Sequence, residues 1–396
     1  MRDGWTRVTL GDVFSRANER AGVYRDEPEV FSITKREGVV PALEYFENRV
    51  ASADLSKYKW LRDEMWAYST IHIDEGSIAR NKLGRDGVVS PMYTLMNWTR
   101  RDHDPGYFEL LLRAPQMLAR YRDAAQGSLD RRRSLRWESF ASMEVDVPPL
   151  KAQRWIADVI ARVDAAIRTA DGQTVAALQL QNNLRESVFL PENSWVDTRI
   201  GDRLDRVSRP VMVDLSAEYS EIGLRSHGRG AFLKQPVTGT SLGKKRVFQV
   251  QPGDLCFNIV FAWEGAVAVL GHEVAGRIAS HRFPTFKGTD DWVVTWFNEF
   301  FMTRRGRQLL VDYSPGGAGR NKTLAISKLL DETIPMPAER EARMAIALLS
   351  EASAHHLSAH ENSQALRALS GNLQNVLLSG EHTIPERYSR LIVRAA

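Results

Sequence analysis

Cysteine is almost missing: Cys256 stands alone among 396 residues. That excludes an internal disulfide and a multi-thiolate metal site, and it fits a reducing compartment. No apolar run reaches the length of about 18 residues that a membrane-spanning helix needs. The opening "MRDGWTRV" has no apolar segment of a secretory signal, so a cytoplasmic location is expected. Lysine is scarce too, at eleven of 53 basic residues, so the net charge of +4 is carried largely by arginine. Arginine suits bidentate contacts to phosphate and guanine, although GC-rich coding gives the same bias.

Catalytic motifs are missing as well. An adenine methyltransferase needs Asn or Asp before Pro-Pro-aromatic, but Val147 precedes Pro148-Pro149. None of the eleven lysines has Asp or Glu two residues before it, as a common metal-nuclease motif requires. "GTSLGKK" from Gly239 and "GGAGRNKT" from Gly316 both break the phosphate-loop spacing. His272-Glu273 lacks the thiolates of a zinc deaminase. His356 and His360 have a spacing that can bind a metal, but such a pair is far more often solvated or in a helix seam. The pattern is that of a binding protein without catalytic residues or a cofactor of its own.

What the chain does have is a second beginning. "GWTRVTLGDVFSR" from Gly4 returns as "SWVDTRIGDRLDR" from Ser194, with Gly11 over Gly201, Asp12 over Asp202 and Arg16 over Arg206. "GVVSPMY" from Gly87 lies over "GRIASHRF" from Gly276, with Ser90 on Ser280. "DEGSIARN" lies over "QPGDLCFN", with Gly76 on Gly253 and Asn81 on Asn258. A period near 190 residues is duplication of a whole domain rather than a solenoid repeat.

Each half ends in a long helical pattern. Ile156, Ile160, Val163 and Ile167 form a stripe in the first. Met344, Leu348, Leu366, Leu369 and Leu373 form one in the second. Near-heptad spacing over about 40 residues predicts two helices of roughly 55–60 Å pairing as an antiparallel coiled coil. Asp171-Gly172 and His355-His356 are polar breaks in the seam. Between them, "KYKWLRDEMWAYSTIHI" and "RVFQVQPGDLCFNIVFAW" read as strands, and "DPGYFELLLRAPQMLARYRD" and "WVVTWFNEFFMTRRGRQLLVDY" as helices. The expected class is α+β. It places similar domains at 1–148 and 191–336, long helices at 149–190 and 337–380, and a tail at 381–396.

This order of parts resembles the specificity subunit of type I restriction–modification systems. The resemblance rests on the two openings and on the two turn-to-helix passages, "GSLDRRRSLRWESFASMEVDVPPLKAQ" and "GGAGRNKTLAISKLLDETIPMP". Pro149-Leu150 followed by Gln153 is similar to that family's Pro-Leu-x-x-Gln helix start. The second copy departs from it, with Ala338 for Leu and Glu341 near the Gln position. The resemblance implies a non-catalytic subunit in which each domain reads half of a split double-stranded DNA target. It also implies helices that set the spacing and dock two methyltransferase subunits, with a motor-nuclease subunit as a further partner. S-adenosylmethionine, ATP and Mg would then sit on partner subunits. A sequence-specific DNA-binding adaptor outside restriction is the alternative, and a coiled-coil assembly protein is a third reading.

Candidate DNA contacts follow from composition and placement. Arg131, Arg132 and Arg133 in one half match Arg320 and Lys322 in the other, each group after glycines and before a predicted element. Freed backbone N–H groups beside cations suit phosphate oxygens. Lys244, Lys245 and Arg246 form a third basic turn, expected at a hairpin tip. Arg80, Asn81, His227 and Arg229 are further candidates for base edges.

Overall fold

A computed structural model describes residues 4–22, 28–46, 52, 54–125, 134–243, 245–316 and 322–380. The chain forms two compact units. One comprises residues up to Thr169 together with those from Ser363 on; the other comprises Ala170–Asn362. The long helices Leu150–Val188 and Glu339–Ser379 are therefore each divided between the units. Both are continuous through the polar breaks seen in the sequence.

The first unit holds a four-stranded antiparallel sheet ordered Phe14–Ala17, Tyr93–Trp98, Trp66–Ser69, Ile78–Arg80. The second repeats it with Leu204–Val207, Thr285–Gly288, Leu255–Phe257, Val267–Val269. Satellite ribbons repeat as well. Phe31–Ile33 pairs with Val39–Pro41, as Ile222–Leu224 pairs with Ala231–Leu233. Lys59–Leu61 pairs with Gly87–Val89, as Val247–Gln249 pairs with Ile278–Ser280. Each segment read as one helix near the end of a half is two: Pro105–Leu112 and Pro115–Ala124, then Val293–Met302 and Arg304–Asp312. Pro115 forces the first break, because a proline starts a helix readily but cannot continue one.

The repeated opening motif now has a physical cause. In each unit the first strand pairs with the last, Thr6–Thr9 with Glu144–Val147 and Val196–Arg199 with Thr333–Met336. The chain then turns, burying Leu10 or Ile200 completely. The glycine that follows abuts the short helix before the last strand. A Cβ on Gly11 would lie 3.1 Å from the Ala141 carbonyl oxygen, and one on Gly201 would lie 2.9 Å from that of Leu330. Thr9 and Asp12 complete a capping box in the first copy. In the second, Arg199 holds Asp202 and Asp331 instead.

The ladders correct two sequence alignments. The turns Ile73–Glu75 and Ala262–Glu264 are equivalent, and each ends on a left-handed glycine, Gly76 (φ 99°) and Gly265 (φ 78°). Gly76 therefore matches Gly265, not Gly253, and Asn81 does not match Asn258. Likewise Val147 and Met336 hold the same ladder position. That puts Ala342, rather than the exposed Glu341, in the place of Gln153. Gln153 is fully buried; its carbonyl accepts from the Asp104 N–H at 2.8 Å and its amide donates to the Pro148 carbonyl at 2.7 Å.

Within the first unit, Ile156 and Ile160 share a core with Leu373, Leu377 and Leu378, and Ser370 Oγ donates to Asp164 at 3.4 Å. Within the second, Leu184, Val188 and Phe189 meet Ala342, Ile346 and Leu349. Ile167 is buried and Val163 and Leu366 are half-buried, as a seam requires. Leu348 and Leu369 are not seam residues: they are 42% and 55% exposed. The inward stripe runs through Leu349, Ala352, His356, Ala359, Ser363, Leu366, Ser370, Leu373 and Leu377 in alternating steps of three and four. It mixes leucines with small residues, Ala352, Ala359, Ser363 and Ser370.

Leu349→Ala should lower stability by about 2–5 kcal/mol through loss of buried volume, whereas Leu348→Ala should change it by less than about 0.5 kcal/mol. Thermal or denaturant unfolding of the two variants checks this. Burial raises the Tyr68 phenol to about 12. The folded state thus retains this proton above the unfolded value near 10. Stability from this group is complete below that pH and should fall as pH rises toward 12. Loss of the far-ultraviolet signal alongside tyrosinate absorbance would show it, and Tyr68→Phe should blunt the fall.

Candidate nucleic-acid interface

A cleft of about 750 Å³ lies in the second unit. Its walls are the ribbon Ile222–Leu224/Ala231–Leu233 with its connecting loop, the segment from Asn258 to Glu264, and the turn from Ser280 to Phe283. Cations dominate it: Arg225, Arg229, Lys234, Lys245 and Arg282, with His281 beside them.

The loop from Arg225 to Gly230 is held from below. The His227 N–H donates to the Glu264 carbonyl and the Gly228 N–H to that of Gly265, both at 2.9 Å. Ser226 Oγ donates to the Glu264 carboxylate at 2.6 Å. His227 takes a left-handed backbone (φ 63°), a strained state for a residue with a side chain. Gly228 is needed because a Cβ there would collide with the Met302 sulfur.

Held in this way, the loop presents oriented arginines. Arg225 lies over the Phe232 ring, 4.9 Å from its centroid, and donates to the Ala231 carbonyl at 2.9 Å. Arg229 donates to the Ser226 carbonyl at 3.2 Å. Lys234 lies 5.9 Å from the centroid of Phe283. Among the described residues, no carboxylate pairs with Arg225, Arg229 or Arg282, whereas Lys245 pairs with Glu221.

The first unit uses the same frame differently. Its corresponding loop, Thr34 to Gly38, is tied down by the half-buried Arg113, which donates to the carbonyls of Thr34 at 3.0 Å and of Lys35 and Gly76 at 3.3 Å. A second basic group gathers Arg16, Arg20 and Lys59. Burial pushes the Lys59 ammonium down from its ordinary pKa, and the neighbouring Arg16 and Arg20 charges add to this. Lys59 Nζ donates to the Tyr93 carbonyl at 2.8 Å.

The residues singled out from sequence fall into three groups. Arg131, Arg132, Arg133, Arg320 and Lys244 lie outside the described residues. Lys245 and Arg229 line the cleft, Arg246 is exposed beside it, and Lys322 Nζ sits 4.7 Å from the Trp263 ring centroid. Lys245 follows the short helix Gly239–Leu242 and leads into a strand, so this turn is not a hairpin tip. Arg80 and Asn81 are placed as structural residues. Arg80 pairs with Glu64 and Glu109, each at 2.8 Å. Asn81 is fully buried, its amide donating to the Leu61, Arg62 and Arg85 carbonyls and its oxygen accepting from Leu83. Sequence reasoning missed Arg225, Lys234, Arg282, Arg16, Arg20 and Lys59. They are single cations scattered along the chain, and only folding brings them together.

The fold is thus a duplicated two-unit architecture with a basic cleft in its second unit. No protein-family model and no curated sequence matches the chain. Solved structures do. A chain from a type I R-M system, studied for complex assembly and conformational transition, aligns over 96% of this chain and 99% of its own. Its identity is 14% and its TM-score 0.62. The type I restriction–modification S subunit from M. genitalium aligns over 94% and 96%, at 9% identity and a TM-score of 0.51. The chain thus has the fold of type I specificity subunits, over nearly its whole length.

Asn81→Ala should destabilise the first unit by about 1–3 kcal/mol, because the Leu61, Arg62 and Arg85 carbonyls lose a donor and the Leu83 N–H its acceptor, and leave nucleic-acid affinity of the folded protein unchanged. Arg246→Ala should do the reverse. Melting curves set beside duplex-binding titrations separate the two.

Proposed function

We propose that this chain is the DNA sequence-specificity subunit of a type I restriction–modification complex. The reading rests above all on the duplicated fold, shared end to end with solved specificity subunits. Each unit would read one short DNA word, so the target is bipartite. The cleft-lining residues differ between the units, so the two words differ and the site is asymmetric. Base edges would carry the specificity, and surrounding cations would position phosphates.

The chain would do no chemistry itself. It would dock two methyltransferase subunits through the pseudo-equivalent surfaces that duplication creates, and a motor-nuclease subunit could join. S-adenosylmethionine, and ATP with Mg where restriction occurs, would be bound by those partners. No helix among the described residues is long and apolar enough to cross a membrane, which is compatible with work on chromosomal DNA in the cytoplasm.

Co-expression with the cognate methyltransferase should yield a complex of one chain with two methyltransferases. Its DNA affinity should fall steeply with salt, and Lys322→Ala should weaken binding to all sequences and flatten that dependence by about one unit of slope. Methylome sequencing should show a two-part motif. A single uninterrupted motif, or a chain that binds DNA tightly but no methyltransferase, would overturn the assignment.

A further inference from the structure

The two units share a frame but not the side chains mounted on it. Ile33 and Leu224 hold the same ladder position, as do Val39 and Ala231. Counting from them, Arg225, Phe232 and Lys234 stand where the first unit has Thr34, Val40 and Ala42. In the turn after the next ribbon, Ser90 and Ser280 are equivalent, each hydroxyl accepting from the N–H two residues on at 3.4 Å. His281 and Arg282 therefore replace Pro91 and Met92. Two arginines, one lysine and one histidine have been placed on a surface whose counterpart carries none of them.

Resting on the proposed function, we infer that Arg225, with Arg282 across the cleft, determines specificity for guanine in the word read by the second unit. Three observations carry this. Arg225 is fixed, by stacking on Phe232 and by its bond to the Ala231 carbonyl, so its fork is oriented before any ligand arrives. Neither arginine is neutralised by a carboxylate among the described residues. Arg225 also ends a two-stranded ribbon, an element that a major groove about 12 Å wide admits. A fixed guanidinium at such a tip matches the paired acceptors O6 and N7 of guanine; the same fork can grip a phosphate, but only the base contact carries a sequence preference. The first unit, with Thr34 and Met92 in these places, would read its word by other contacts.

The test is selection from a randomised duplex pool by the full chain co-expressed with its methyltransferase, unaltered and as Arg225→Lys, Arg225→Ala and Arg282→Ala, with melting curves to show that each variant folds. The unaltered chain should enrich a two-part motif with guanine in one part. Arg225→Lys keeps the charge and loses the fork. It should reduce the preference for that guanine about tenfold while leaving the other part and the salt slope unchanged. Arg282→Ala should weaken the same part only. If a folded Arg225→Lys chain keeps both parts, or loses both equally, the inference is wrong while the proposed function stands. If the unaltered chain enriches no sequence, both fall.

Discussion

Each half of this protein depends on one closure. A strand near its beginning pairs with a strand some 139 residues later, and the turn that follows presses a glycine against the short helix that precedes that later strand. Arg7 and Asp146 face each other across that ladder, 2.8 Å apart, but they are exposed, so the pair contributes little. Burial of Leu10 and Ile200 and the close approach at Gly11 and Gly201 matter more. The motif that made the chain seem to start twice is thus a closure device. It recurs because two units must each be closed.

Closure lets the rest of each unit vary. The same four-stranded sheet, ribbons and helices support a loop tied down by Arg113 in one unit and by Glu264 and Gly265 in the other. Binding surfaces tend to be built on loops positioned by a rigid frame. Two unlike surfaces on one repeated frame are what a reader of two unlike DNA words requires. The strained backbone at His227 belongs to this surface, where local strain is commonly stored.

Long-period features were legible in the sequence. The 190-residue repeat, the α+β class and both long helices follow from motif order and hydrophobic spacing, which are properties of neighbouring residues. Finer placement was not. Leu348 and Leu369 read as seam residues because they are apolar at near-heptad spacing, yet they face outward, and Ala352, Ala359 and Ser370 lie on the more buried stripe. Gly76 was set on Gly253 because glycine and asparagine recur there at the same spacing; ladder position and the left-handed end of the turn match it with Gly265.

The interface shows the same division. A run such as Lys244-Lys245-Arg246 is visible in sequence because its charges are adjacent. Arg225, Lys234 and Arg282 are dispersed over nearly 60 positions and share a cleft only once ribbons and turns have formed. Asn81 and Arg80 have side chains able to read bases, but burial and carboxylate partners assign them to the frame. Sequence alone determined that the chain repeats, that both halves open with the same motif, and that a long helix follows each. Tertiary structure decided which cations stand unneutralised on the surface, because solvent exposure and ion pairing depend on contacts between residues far apart in the chain.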